Sequence, residues 1–326
     1  MKIVKYTRAK GRPAEYGILA EGVIRPIQNA GGIGDVHSLT KGGKMPETGR
    51  ALKIKDVHIL PPAGDHPHVY CAGLNYRDHA LEVRMPIPKS PIFFTKAPSA
   101  LCGPADDVVY PSGVSLLDYE VELGVVMGRT AGRKDVITDE NLGDYVLGIT
   151  LFNDVSARDL QLRAGQWFLG KSFRTFAPMG PYIQRLDPAS LSRLYELTLE
   201  LRVYKRDGTF YPDKGQKGST ASMIFRVHEL LNCLREKFDL QPGDVIATGT
   251  PRGVALGSPP KFKARMAEIL GIPQAQRIDR FIASEIRNNR RYLAPGDIME
   301  ARIYSGDGEV DLGAMKNRVI RDDTGD

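Results

Sequence analysis

Glycine and proline cut this chain into short runs of β-branched and aromatic residues, and that punctuation constrains the fold more than any other feature. From Val69 onward the runs are Ile92-Phe93-Phe94, Val108-Val109-Tyr110, Tyr119 to Met127, Val146 to Phe152, Leu197 to Tyr204, Asp244 to Ala247 and Ile298 to Ile303. Helical patterns of about 10–15 residues do not alternate regularly with them, which disfavours a doubly wound parallel sheet. The reading is an α+β, mainly β chain with mixed sheets and a few helices. Its 326 residues exceed what one typical core holds, and Pro61-Pro62-Ala63-Gly64-Asp65 is turn chemistry fit for a boundary. Residues 1–62, with strand-like Val4, Tyr16 to Leu19 and Gly22 to Ile24, are expected to form a small N-terminal β-rich domain, and 63–326 the large one.

One segment departs from this pattern. Phe262, Met266, Ile269 and Leu270 recur at helical spacing before Gly271-Ile272-Pro273, and a second helix is predicted with Ile278, Phe281, Ile282 and Ile286 on one face. This helical insertion, about 257–293, holds a net +5 of the chain's +6. The basicity is therefore local and does not mark a nucleic-acid-binding protein. A solvated helical surface, a lid or a subunit contact are the readings open to it. No apolar run approaches the roughly 18 residues of a membrane span, and the first residues lack an apolar signal core, so a cytoplasmic protein is expected. Cys71, Cys102 and Cys233 are odd in number and widely spaced, which excludes a disulfide framework and a CxxC site and predicts reduced thiols.

The sharpest chemical signal is Leu117-Asp118-Tyr119-Glu120-Val121-Glu122-Leu123. In a strand its odd positions form an apolar face and Asp118, Glu120 and Glu122 an acidic one. Same-face neighbours lie roughly 6.6 Å apart, and at an effective dielectric of about 20 each pair repels by roughly 2.5 kcal/mol. Such a face is either wet or holds a cation, and carboxylate oxygens suit Mg²⁺, Mn²⁺ or Ca²⁺. A further carboxylate, Asp154, ends the apolar run Tyr145 to Phe152, and Ser156-Ala157-Arg158-Asp159 after it has the form of a capping box. Arg158 and Gln161 would share a face of the turn that follows, as salt-bridge partners or as a substrate contact. His79 and Glu82, at i and i+3, let a carboxylate orient an imidazole, which is half of a general-base arrangement or simply a surface pair. Gly165 to Ser172 fits the phosphate-loop spacing formally, but bulky Gln166 to Leu169 deny backbone approach to a phosphate. Thr248-Gly249-Thr250, after a strand, can offer hydroxyls and N–H groups to a carboxylate.

In this order the blocks resemble the fumarylacetoacetate hydrolase family. They are Gly73-Leu74-Asn75-Tyr76 with His79, Pro91 to Lys96, Asp118 to Leu123, Asn153 to Gln161, Gly170-Lys171-Ser172-Phe173 and Thr248-Gly249-Thr250-Pro251. The resemblance runs from about Val69 to Val254 and resumes from Leu293 to Val319. It implies a mixed β-sandwich roll and a homodimer. It implies Mg²⁺ (or Mn²⁺) held by Glu120, Glu122 and Asp154, with a water-activating dyad at His79 and Glu82. Lys171 is implied as a further catalytic group, and Tyr76, Arg158, Gln161 and Thr250 as substrate-binding. The expected reaction is hydrolysis of a carbon–carbon bond in a 3-acylpyruvate or related 2,4-dioxo acid, giving pyruvate and a carboxylic acid. Decarboxylation of an oxaloacetate-like 2-oxo acid and keto–enol isomerisation at the same centre are the alternatives. Arg174, where relatives often carry an acidic residue, and the long 257–293 connection are departures. A scaffold protein using the basic insertion is the reading outside enzymology.

Overall fold

The alternating and glycine-punctuated runs do form strands. The computed structural model describes residues 1–9, 11–258 and 270–322. Its larger sheet runs, edge to edge, through Leu52–Lys53, Val23–Pro26, Glu15–Ala20, Lys2–Thr7, Ala177–Arg185, Val146–Asn153, Val121–Met127, Val245–Ala247, Val69–Gly73 and Ile92–Lys96. Lys2–Thr7 pairs antiparallel with Ala177–Arg185, so the N-terminal strands continue the same sheet. A second sheet is ordered Phe210–Ser219, Leu197–Tyr204, Ile298–Ser305, Asp311–Arg321, Val108–Tyr110. Most pairings are antiparallel, and Val245–Ala247 with Val69–Gly73 is one of the parallel exceptions. The architecture is mainly β with mixed sheets.

Side-chain periodicity explains how the sheets stack. In Leu197–Tyr204 the alternate residues Leu197, Leu199, Leu201 and Val203 are buried while Arg202 faces solvent, the pattern of a sheet covered on one face. Met299, Ala301 and Ile303 do the same on the neighbouring strand. Val121–Met127 and Val146–Asn153 are instead buried at every residue, as central strands covered on both faces must be. Their register sets Val121 opposite Asn153 and Glu122 opposite Phe152, which carries the acidic segment into the interior.

Three expectations need correction or limits. The run from Leu117 to Met127 is not one strand: Leu117–Asp118 pairs with Ser156–Ala157, and the main strand starts at Val121. The break arises because the Tyr119 N–H is taken by the Asp118 carboxylate (2.8 Å) and the Glu120 N–H by the Asn153 amide oxygen (3.0 Å). The capping box does not form. The Arg158–Ala164 helix starts from Ala157 with no side-chain cap, Ser156 Oγ donates to the Asp154 carbonyl, and Asp159 accepts the Ser115 N–H. The second insertion helix is present as Gln274–Asn288, with Ile282 buried and Ile278 and Phe281 half-buried, but Ile286 is exposed. Lys261 to Ile269 of the first lies outside the described residues. The second helix packs on Arg158–Ala164, joined by Arg163 to Asp279 at 3.1 Å. Among the described residues no helix is long and apolar enough to cross a membrane. The three cysteines are free, Cys71 and Cys102 buried and Cys233 half-buried.

Candidate active site

The acidic segment and the junction after Val146–Asn153 meet because the Asp154 N–H donates to the Glu120 carbonyl at 2.8 Å. Glu120, Glu122 and Asp154 then offer carboxylate oxygens that all lie within 4.8 Å of one another. They are 5%, 2% and 0% exposed, which eliminates the wet-face reading of the acidic residues. Asp118 does not join them. It faces the other way, accepting from Arg158 Nε (2.8 Å) and from the Ala255 and Leu256 N–H groups (2.8 and 3.0 Å).

Buried cations compensate part of this charge. Lys171 Nζ donates to Glu120 Oε2 and to Asp154 Oδ2, both at 2.6 Å, and sits 5.0 Å from the centre of the Phe94 ring. Arg158 donates to Glu120 Oε1 as well as to Asp118. Lys96, its side chain fully buried, donates to Asp154 Oδ1 and to the Val155 carbonyl. Four buried carboxylates thus meet three buried cations, which leaves one negative charge uncompensated. It falls on Glu122, for which the described residues supply no ion pair, only the Gly249 N–H at 2.8 Å. Gly249 can bring its amide so close because its φ is +92° and a Cβ would lie 3.0 Å from the Ala72 carbonyl.

The electrostatics follow from these contacts. Burial, then Asp154, then Glu120 push the Glu122 pKa well above the ordinary carboxylate range. Burial acts the same way on Glu120, but Arg158 and Lys171 outweigh it and hold that pKa low. Desolvation would lower the Lys171 pKa, yet Asp154 and Glu120 raise it. A buried, oxygen-only donor set with surplus negative charge fits a hard divalent cation; the buried Tyr76 hydroxyl nearby interacts with that of Thr248.

The remaining residues singled out from sequence are distributed as follows. His79 and Glu82 lie on the short Arg77–Glu82 helix with Nδ1 3.4 Å from Glu82 Oε2, and His79 is close enough to act on the charge of Glu120. Tyr76 is the residue that opens this helix, and it is wholly buried. Gln161 Oε1 accepts from Arg158 Nη1 at 2.9 Å. The Thr250 hydroxyl is engaged within the fold, donating to the Val121 carbonyl (3.0 Å) and accepting from Gln216 Nε2 (2.7 Å). Lys96, Phe94 and Gln216 had no role assigned from sequence. Lys96 closes an ordinary strand run, and only its distant partner Asp154 reveals it. Trp167 stands edge-on to Phe94 at 5.2 Å and lies flush against Gly73, where a Cβ would come within 2.4 Å of the indole.

A mainly β fold with mixed sheets, and three buried carboxylates where one central strand begins and its neighbour ends, narrows the class of protein. The chain belongs to the fumarylacetoacetate hydrolase family: residues 68–320 match the family model described as fumarylacetoacetate (FAA) hydrolase, C-terminal. A relative in Burkholderia lata, named no more specifically than a hydrolase, is 46% identical over 288 residues, covering 83% of this chain and 95% of its own. The solved fumarylacetoacetate hydrolase of Exiguobacterium antarcticum is 29% identical with a TM-score of 0.67, covering 99% of this chain and all of its own. A 2-hydroxyhepta-2,4-diene-1,7-dioate isomerase from Mycobacterium marinum is 26% identical with a TM-score of 0.67, covering 99% of both chains.

Proposed function

We propose that the protein is a Mg²⁺- or Mn²⁺-dependent hydrolase that cleaves the C3–C4 bond of a 3-acylpyruvate or related 2,4-dioxo acid. The observation that carries this reading is the His79–Glu82 pair beside the carboxylate triad. Glu120, Glu122 and Asp154 would hold the cation. When bound it supplies Lewis-acid charge for a 2-oxo acid. Glu82 fixes the imidazole, and His79 takes a proton from water as its oxygen adds to the C4 carbonyl. Breaking C3–C4 sends the electron pair to the pyruvate fragment as its enolate, which is protonated at C3, while C4 departs in the carboxylic acid. The Lys171 ammonium, already raised in pKa by its carboxylates, stays charged and offers N–H donors to the developing oxyanion. Arg158, which donates to Gln161 at 2.9 Å, would together with it meet an anionic substrate.

Incubation with Mg²⁺ and acetylpyruvate, fumarylpyruvate or oxaloacetate, followed by enol absorbance and pyruvate assay, tests the proposal. Cleavage of an acylpyruvate is expected. His79→Ala should abolish it and leave calorimetric Mn²⁺ binding nearly intact, whereas Glu120→Ala should remove both. Equal metal loss in the two variants would contradict this division of roles. Isomerisation of a 2-hydroxydienoate at the same centre is the second reading, supported by the isomerase from M. marinum with the same fold. Substrate turnover without pyruvate release would select it. Family membership further supports a homodimer, which sedimentation would test.

A further inference from the structure

The segment Gly253–Ser258, which follows the parallel strand Val245–Ala247 and leads into the insertion, bonds to Glu82 and to Asp118 without contributing a side-chain ligand to the site. The Gly253 N–H donates to both oxygens of Glu82, each at 3.0 Å, and Ser258 Oγ donates to the Glu82 carbonyl at 3.2 Å. Ala255 and Leu256 donate to Asp118, which anchors Arg158. Gly253 has no freedom to drift: its φ is +110° and a Cβ would lie 2.7 Å from the Gly215 carbonyl.

The insertion grips this segment from behind. Glu285 Oε2 accepts from the Gly257 N–H (3.0 Å), Asn289 Nδ2 (2.8 Å) and the Tyr292 hydroxyl (2.8 Å). Asn289 Nδ2 also donates to the Ala255 carbonyl at 2.7 Å. Arg291 Nη2 donates to the Gly253 carbonyl at 2.7 Å, so one peptide residue separates the guanidinium from the carboxylate that orients His79. Resting on the hydrolase reading for the role of His79, we infer that Glu285 and Arg291 are positioning residues: the end of the inserted helix sets the general-base dyad through Gly253–Ser258. Arg291 then belongs to the support of the site and not to the solvated basic face of the insertion.

The test is Arg291→Met in the full chain, alone and combined with Glu82→Gln, with acetylpyruvate as substrate. Arg291→Met should lower kcat by about 10- to 100-fold, the cost of a small misplacement of a catalytic group. KM and the calorimetric Kd for Mn²⁺ should stay put. Added to Glu82→Gln it should cost nothing further, because both changes act on one carboxylate, and Arg291→Lys, which keeps a cationic donor, should recover part of the loss. Additive costs, or Mn²⁺ affinity falling with kcat, would overturn the inference. Nitrogen-15 NMR of the His79 ring gives a readout independent of turnover. Wild type should hold the proton on Nδ1, facing Glu82, and Arg291→Met should mix the two tautomers; an unchanged spectrum would sink the idea. If wild type cleaves no acylpyruvate, the hydrolase reading falls and the ring spectrum alone decides about the positioning role. Should Arg291→Met not fold, Glu285→Gln carries the same two measurements.

Discussion

Glu122 is the carboxylate on which the site's charge imbalance settles, and its replacement separates affinity from stability. Losing a residue that merely orients a metal ligand costs about 10–100-fold in affinity, so Glu122→Gln should weaken Mn²⁺ binding by at least that much in calorimetry. The same change should raise the melting temperature measured with a chelator present, because it removes a carboxyl whose ionisation is opposed by burial, Asp154 and Glu120 and puts a neutral isostere in its place. His37 offers a second case, remote from the site. Its Nδ1 accepts from Arg185 Nη1 at 2.8 Å and its Nε2 donates to the Asp144 carbonyl at 3.0 Å. Burial, then Arg185, with Lys41 and Arg129 further off, lowers its pKa to about 4, against the one favourable contribution of the Asp144 carbonyl. The folded state then binds fewer protons than the unfolded one between about pH 6.5 and 4, so stability falls as pH drops through that window, by roughly 2–3 kcal/mol at most. Denaturant titrations of wild type and His37→Gln across it should converge toward acid pH. Neither effect was legible from sequence: Glu122 was placed in the acidic pattern, but the cations that single it out lie 17 to 58 positions from the carboxylates they pair with.

At the level of the element, the alternation around Val121 revealed a strand with an acidic side, and the structure keeps that strand. What alternation could not reveal is where it stops. The interruption at Tyr119-Glu120 depends on Asn153, whose amide oxygen captures a backbone donor from across the sheet. Asn153→Ala should leave that donor buried and unpaired, costing about 1–3 kcal/mol in denaturant unfolding. It should also weaken Mn²⁺ binding, since Glu120 loses the bond that fixes its backbone. The capping-box expectation at Ser156 failed for a related reason: the junction is bound into a two-stranded bridge with Leu117–Asp118, and its hydroxyl serves the Asp154 carbonyl instead. The His79–Glu82 pairing was legible from its i, i+3 spacing, because both partners sit within one turn of Arg77–Glu82.

On the scale of the whole molecule, the glycine and proline punctuation sufficed to recover a mainly β chain, and ordered motif blocks sufficed to recover the family. The sheet order, in which strand Val245–Ala247 lies between Val121–Met127 and Val69–Gly73, was not recoverable, because those pairings join residues far apart in sequence. Net charge is also a whole-molecule property, and here it is concentrated on the insertion. If Arg280, Arg287 and Arg290 raise the local concentration of anionic substrate, kcat/KM should fall with salt more steeply in wild type than in a variant with all three neutralised. Equal slopes would dismiss steering. The placement of Trp167 has a practical consequence as well. It is the chain's sole tryptophan, and its indole abuts the same phenylalanine ring that lies beneath the Lys171 ammonium. Intrinsic emission from the unlabelled protein is therefore an optical gauge of the pocket: any occupant that pulls that ammonium off its carboxylates should change the brightness or colour of a single, unambiguous fluorophore.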